Sequence, residues 1–185
     1  ICIKNHKKYD KLSRKGGFME LLELLKARYS VRRFADKPVE EEKLQLVLEA
    51  GACAPTAKNQ QPQHIYVLES AAALEKIRAI TPCAFDAPVV LLICGDRQEG
   101  WTNPFNERNA TEMDCSIVTT QMMLEAQSLG LGTTWVCWFD TAEVKKQFAL
   151  PEGHEPFALL PLGYAAADCH PSRMHFSRKP LCETV

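Results

Sequence analysis

The chain has almost no net charge, since 22 Lys and Arg nearly balance 23 Asp and Glu. That balance gives no electrostatic reason to expect nucleic acid or an anionic membrane as the main partner. No apolar run approaches the roughly 20 residues of a membrane-spanning helix. The longest runs only from Ala87 to Cys94. Glycine is sparse, at 9 of 185 residues, and there is neither a Walker phosphate loop nor a G-x-G-x-x-G following a strand. Gly130-Leu131-Gly132 is more simply a helix stop. A G-x-S-x-G nucleophile elbow is also missing. The five histidines lack H-x-x-x-H or H-E-x-x-H spacing, and the Cys169-His170 neighbours are too few to hold a metal. Eight cysteines occur without one C-x-x-C pair, several of them in apolar runs. The pattern reads as free thiols in a reducing cytosol, not as a disulfide frame or zinc site, and predicts a cytoplasmic protein.

What is present is globular. The chain is 46% hydrophobic and 24% charged, and 185 residues suit one ordinary domain. A chain of this size buries roughly 70% of the surface it exposes when unfolded, enough for a core without staples. Residues 1–18 differ from the rest. Lys4, Lys7, Lys8, Lys11, Arg14 and Lys15 stand there against Asp10 alone, which leaves the remainder acidic. We read this stretch as an upstream leader, with Met19 as the native start and residues 19–185 as the domain. No apolar core follows the positive charges, so it is not a signal peptide. A basic nucleic-acid arm is the lesser reading.

The periodicity alternates between helix and strand. Leu21, Leu22, Leu24 and Leu25 interleave with Glu20, Glu23 and Lys26, an amphipathic helix over 19–27. Glu40, Glu41 and Glu42 suit the start of a second helix, which Pro55 stops. Strands are expected at 65–68, 89–94, 133–137 and 157–164, with short helices over 71–80 and from Asp140-Thr141 to Phe148. The longest helix should open at Asn109 or Thr111 and run to Leu129. Its apolar residues spread round the cylinder, so it is expected to be central and buried. The order α-α-β-α-β-α-β-α-β describes an α/β or α+β domain with an embedded sheet.

Two polar segments stand out. Arg28-Tyr29-Ser30-Val31-Arg32-Arg33-Phe34 follows the first helix. In an extended segment Arg28, Ser30 and Arg32 point to one side, and arginine forks match phosphate oxygens. Alone, the segment reads better as a solvated basic patch that balances the acidic helices. Ala54-Pro55-Thr56-Ala57-Lys58-Asn59-Gln60-Gln61-Pro62 joins a helix to a strand. Its amides can read the edge of a heterocycle, although by itself it reads better as a polar connecting turn.

Together these segments resemble the nitroreductase family of FMN-dependent flavoproteins. That family has an R-x-S-x-R segment after its first helix and an A-P-S/T-x-x-N-x-Q-P loop. Asp114 to Val136 is similar to its central helix and G-L-G-T strand entry, and Leu162-Gly163-Tyr164 with Arg178-Lys179-Pro180-Leu181 to its last strand and R-K-P tail. The resemblance runs from Met19 to Val185. It implies a three-layer α/β/α fold of the α+β class, with a central mixed, mainly antiparallel sheet. By the same resemblance Arg28, Tyr29, Ser30 and Arg32 lie at the FMN phosphate, joined by Arg178 from the tail. Asn59 would bond the pyrimidine edge, supported by Gln61, and the backbone at Cys137 and Trp138 would approach flavin N5. The implied protein is an intertwined homodimer with FMN at its interface. It would pass hydride from NAD(P)H through the flavin to a nitroaromatic, quinone or similar acceptor in ping-pong order. A flavin store or sensor without turnover, and a specialised relative such as a dehalogenase, are the alternatives. Trp101 and Trp138 are candidates to line the substrate pocket, with core or interface packing as an equal alternative. Gln63, Ala165 and Cys137-Trp138 depart from the family pattern and leave the acceptor open.

Overall fold

A computed structural model describes residues 20–185, so the basic segment 1–18 and Met19 lie outside the described residues. The elements follow the expected order: α1 (Leu21–Ala27), α2 (Glu41–Ala52), β1 (Gln63–Leu68), α3 (Ala71–Ile80), β2 (Val89–Asp96), α4 (Thr111–Ser128), β3 (Gly132–Thr133), α5 (Thr141–Gln147) and β4 (His154–Gly163). Asp140 caps α5 as its sequence position predicts, with Oδ1 accepting from the N–H groups of Ala142 and Glu143.

β2 organises the rest. Every residue from Val89 to Gly95 is buried, and a strand apolar on both faces needs a layer on each side. Val89, Leu91 and Ile93 pack with Leu44 and Val47 of α2 and Val118 and Met122 of α4. Val90, Leu92 and Cys94 pack with Leu74 and Ile77 of α3 and Val144 of α5. The result is helix, sheet, helix. The sheet order is β1-β2-β4-β3, and all three strand pairs are antiparallel. The parallel part of the expected mixed sheet is an isolated bridge between Ser30 and Thr133.

The expected strand over 133–137 is cut short. Thr134 N–H reaches the carbonyl of Pro161 at 3.3 Å, but proline has no N–H to return a bond. Pairing resumes only as a bridge between Val136 and Leu159.

α4 is the central helix, with Val118, Met122 and Ala126 wholly buried. No helix among the described residues is long and apolar enough to cross a membrane. The described cysteines are free thiols. Burial pushes those of Cys94 and Cys115 up to about 12, which leaves them unreactive near neutrality.

Candidate functional site

The expected site residues fall at opposite ends of α4. At its C-terminal end the chain turns into β3, and the segment after α1 lies alongside. Val31 N–H donates to Thr133 O at 2.9 Å, and Thr134 Oγ1 donates to Val31 O. Gly132 permits this approach, because a Cβ there would meet the Val31 Cβ at 2.9 Å. Val31 is thereby buried, while Arg28, Tyr29 and Ser30 stay half-buried and Arg32 is exposed.

The tail closes over the same place. Tyr29 Oη donates to Cys169 O at 3.2 Å, and its ring meets His175 edge-on with centroids 6.4 Å apart. Arg178 Nη1 donates to the carbonyls of Met174 and Ser177 at 3.2 and 2.9 Å. Burial, and after it the positive charge of Arg178, hold the Arg28 guanidinium below the usual arginine range. The charge of Arg178, from a distant part of the chain, thus reaches Arg28. Arg33 is different, since its Nη1 meets Asp168 Oδ2 at 2.6 Å. Among the described residues Arg28, Arg32 and Arg178 have no carboxylate within ion-pair distance.

The other end of α4 meets the polar loop. Ala57 N–H donates to Asp114 Oδ1 in the first turn of the helix at 3.0 Å. Lys58, Asn59 and Gln61 all have positive φ, between 51° and 56°. Asn59 and Gln61 are exposed, and Gln61 Nε2 donates to Asn59 O at 3.3 Å. α4 rises about 21 Å between Asp114 and Ser128 at 1.5 Å per residue. Within one chain, the loop and the arginine cluster are therefore not brought together.

Cys137 and Trp138 follow the Val136 bridge on the open edge of the sheet. Both are exposed, Trp138 to 77%. Trp138 O accepts from Thr81 Oγ1 at 2.6 Å, and Trp135 Nε1 donates to Cys137 Sγ at 3.1 Å. Neither the Cys137 nor the Trp138 N–H has a partner among the described residues. Trp101, half-buried, lies instead by the N-terminal end of α4. It lines an open cavity of about 530 Å³ with Arg108, Glu112 and Met113.

Two features escape a reading of the sequence. The pairing of Arg33 with Asp168 spans most of the chain and has no local signal. Asp114, 2% exposed, looks from sequence like an ordinary acidic residue near a helix start. It shares its buried helix face with Thr111, Cys115, Val118 and Thr119, and no local signal sets it apart.

The "Nitroreductase family" model matches residues 25–85 and 79–164. A relative from Methanothermobacter thermautotrophicus, provisionally named NADH dehydrogenase/NAD(P)H nitroreductase, is 34% identical over 173 residues, covering 86% of this chain and 88% of its own. The crystal structure of a nitroreductase family protein from Clostridium difficile 630 superposes with a TM-score of 0.85 at 40% identity, over 90% of this chain and 97% of that one. The FMN reductase [NAD(P)H] of Bacillus subtilis is 26% identical, over 80% of this chain and 66% of its own. The chain belongs to the nitroreductase family.

Proposed function

We propose that the protein is an FMN-dependent oxidoreductase that uses NAD(P)H to reduce a nitroaromatic, quinone or similar small acceptor in ping-pong order. The observation that carries this is Arg28, half-buried and adjoining Tyr29 and Ser30, close enough to Arg178 of the tail to feel its charge, while neither guanidinium has a carboxylate within ion-pair distance among the described residues. A half-buried cation within reach of a like charge is unfavourable unless an anion completes the site. A phosphate monoester carries −1.5 to −2 at neutral pH and accepts several charge-assisted bonds. The residues present therefore fit the FMN phosphate. The names of the relatives agree with the cofactor and the reductant.

When bound, FMN supplies the redox chemistry, which is why no protein acid–base pair is needed. Arg28, Ser30, Arg32 and Arg178 hold the phosphate, with Tyr29 bracing the tail against them. The free N–H groups of Cys137 and Trp138 serve as donors toward flavin N5, and the Trp138 ring walls the pocket for nicotinamide and acceptor. Asn59 bonds the pyrimidine edge, and Gln61 steadies the loop.

The working unit in this proposal is a homodimer. The separation along α4 is met when Asn59 of a second copy completes the pocket begun by Arg28. Leu21 and Leu22, 66% and 58% exposed, line one side of the apolar surface this dimer would cover. A groove of about 430 Å³ runs from Leu21 and Leu24 to Leu124. Residues 19–185 form the flavin-binding domain, and the free thiols fit a cytoplasmic setting.

The test is the visible spectrum of the purified protein under anaerobic mixing with NADH and NADPH. A yellow band that bleaches is expected. A bound but unbleached flavin would make the protein a store or sensor, and failure to take up FMN would remove the reading.

A further inference from the structure

Asp114 is used by nothing in the function proposed above, yet it is a carboxylate only 2% exposed. Its Oδ1 accepts from Ala57 N–H at 3.0 Å. Its Oδ2 has no partner among the described residues. A buried carboxylate is costly unless its bonds are made, and the first turn of α4 offsets only part of that cost.

The loop it meets is also unfavourable by itself. Lys58 (φ 52°), Asn59 (φ 56°) and Gln61 (φ 51°) are non-glycine residues in the left-handed region. Such residues persist only where the surroundings impose the conformation. The other hydrogen bonds of this loop are internal. Gln61 N–H donates to Thr56 Oγ1 at 3.0 Å, Asn59 N–H to Thr56 O, and Gln60 N–H to Ala57 O. Among the described residues, the Ala57–Asp114 bond is the one that ties residues 56–61 to the rest of the chain.

We infer that Asp114 is a positioning residue, whose buried carboxylate fixes the left-handed loop so that Asn59 is presented to the flavin edge. This rests on the FMN reading above. Asp114 acts through the backbone at Ala57 and does not touch the cofactor.

The test is a double-mutant cycle on FMN affinity, read by quenching of flavin fluorescence in the full-length protein. Asn59→Ala and Asp114→Ala each weaken binding by about five- to tenfold, roughly 1–1.4 kcal/mol. The double variant binds no more weakly than the worse single one, because both changes remove the same contact. The visible circular dichroism of the bound flavin shifts alike in both single variants. Asp114→Asn keeps an oxygen acceptor and retains most of the affinity. If Asp114→Ala does not fold, Ala57→Pro removes the donor instead and completes the same cycle. Thr56 is already extended, as a residue before proline requires. Strictly multiplicative losses would overturn the inference, and so would an unchanged affinity in Asp114→Ala. In either case an Arg28→Ala variant that still loses FMN leaves the flavin reading standing. A wild-type protein that does not bind FMN overturns both.

Discussion

In the function proposed above, the two ends of α4 would meet the flavin differently. At the C-terminal end, the proposed recognition is by charge: Arg28, Arg32 and Arg178 have no carboxylate within ion-pair distance among the described residues, and the segment carrying Arg28 and Arg32 is pinned to β3 through Val31. At the N-terminal end it is by shape: uncharged amides are aimed by a backbone held in left-handed conformations and tied to one buried carboxylate. The first arrangement tolerates small displacements, because Coulomb attraction falls off slowly. The second depends on hydrogen-bond geometry, which weakens steeply with angle.

The contrast can be broken most forcefully at the charged end. Removing Arg28 and Arg178 together should cost FMN affinity by about 1.5–3 kcal/mol for each bond lost, and the loss should shrink in high salt as the remaining charges are screened. Arg33→Ala is the internal control. Asp168 already matches that guanidinium, so FMN titration should change by no more than about 0.5 kcal/mol. Equal losses for Arg28 and Arg33 would show that nearby positive charge, not geometry, is what matters.

Next in size is Gly132→Ala. The added methyl collides with Val31, and overpacking of this kind costs about 1–3 kcal/mol. Thermal melts should report the loss, with weaker FMN binding because the Arg28–Arg32 segment rides on this contact. Asn59→Ala should cost about 1–1.4 kcal/mol of FMN affinity, the five- to tenfold loss given above. Unlike the arginine variants, it should be nearly insensitive to salt in the same titration.

The smallest effect sharpens the contrast through pH. His64, two residues beyond the polar loop, stacks on His154 with centroids 3.8 Å apart. Tyr66 Oη lies 2.6 Å from His154 Nδ1, and His64 Nε2 lies 2.9 Å from Glu99 Oε2, with Asp96 and Lys145 also facing the cluster. Burial, and then the charge of His64, hold the His154 pKa below its ordinary 6.5. The unfolded chain therefore takes up the proton first. Stability should fall as pH drops below about 6.5 and level off beneath the lowered folded value. Melts between pH 8 and 5 would reveal this slope, and His154→Gln should flatten it.

Much of this fold can be read along the chain, because its decisive features are local. The run VVLLIC could only be a strand covered on both faces, and Asp140 and Gly130 mark helix ends by their own chemistry. What escapes is set by distant partners. Thr133 to Cys137 has strand composition, but Pro161 on the neighbouring strand decides where pairing stops. Nothing in Lys58-Asn59-Gln60-Gln61 announces left-handed backbone, since no glycine is there to signal it. The arginine segment was legible as a phosphate-binding candidate. Which of its guanidinium groups is already matched depends on Asp168, far along the chain.

The most direct test compares FMN with riboflavin, which has the same ring and no phosphate, by titration into the flavin-free protein. A cradle of unmatched arginines predicts FMN binding at least about a hundredfold tighter, with the difference fading in Arg28→Ala and in high salt. Equal affinity for the two ligands would contradict the account.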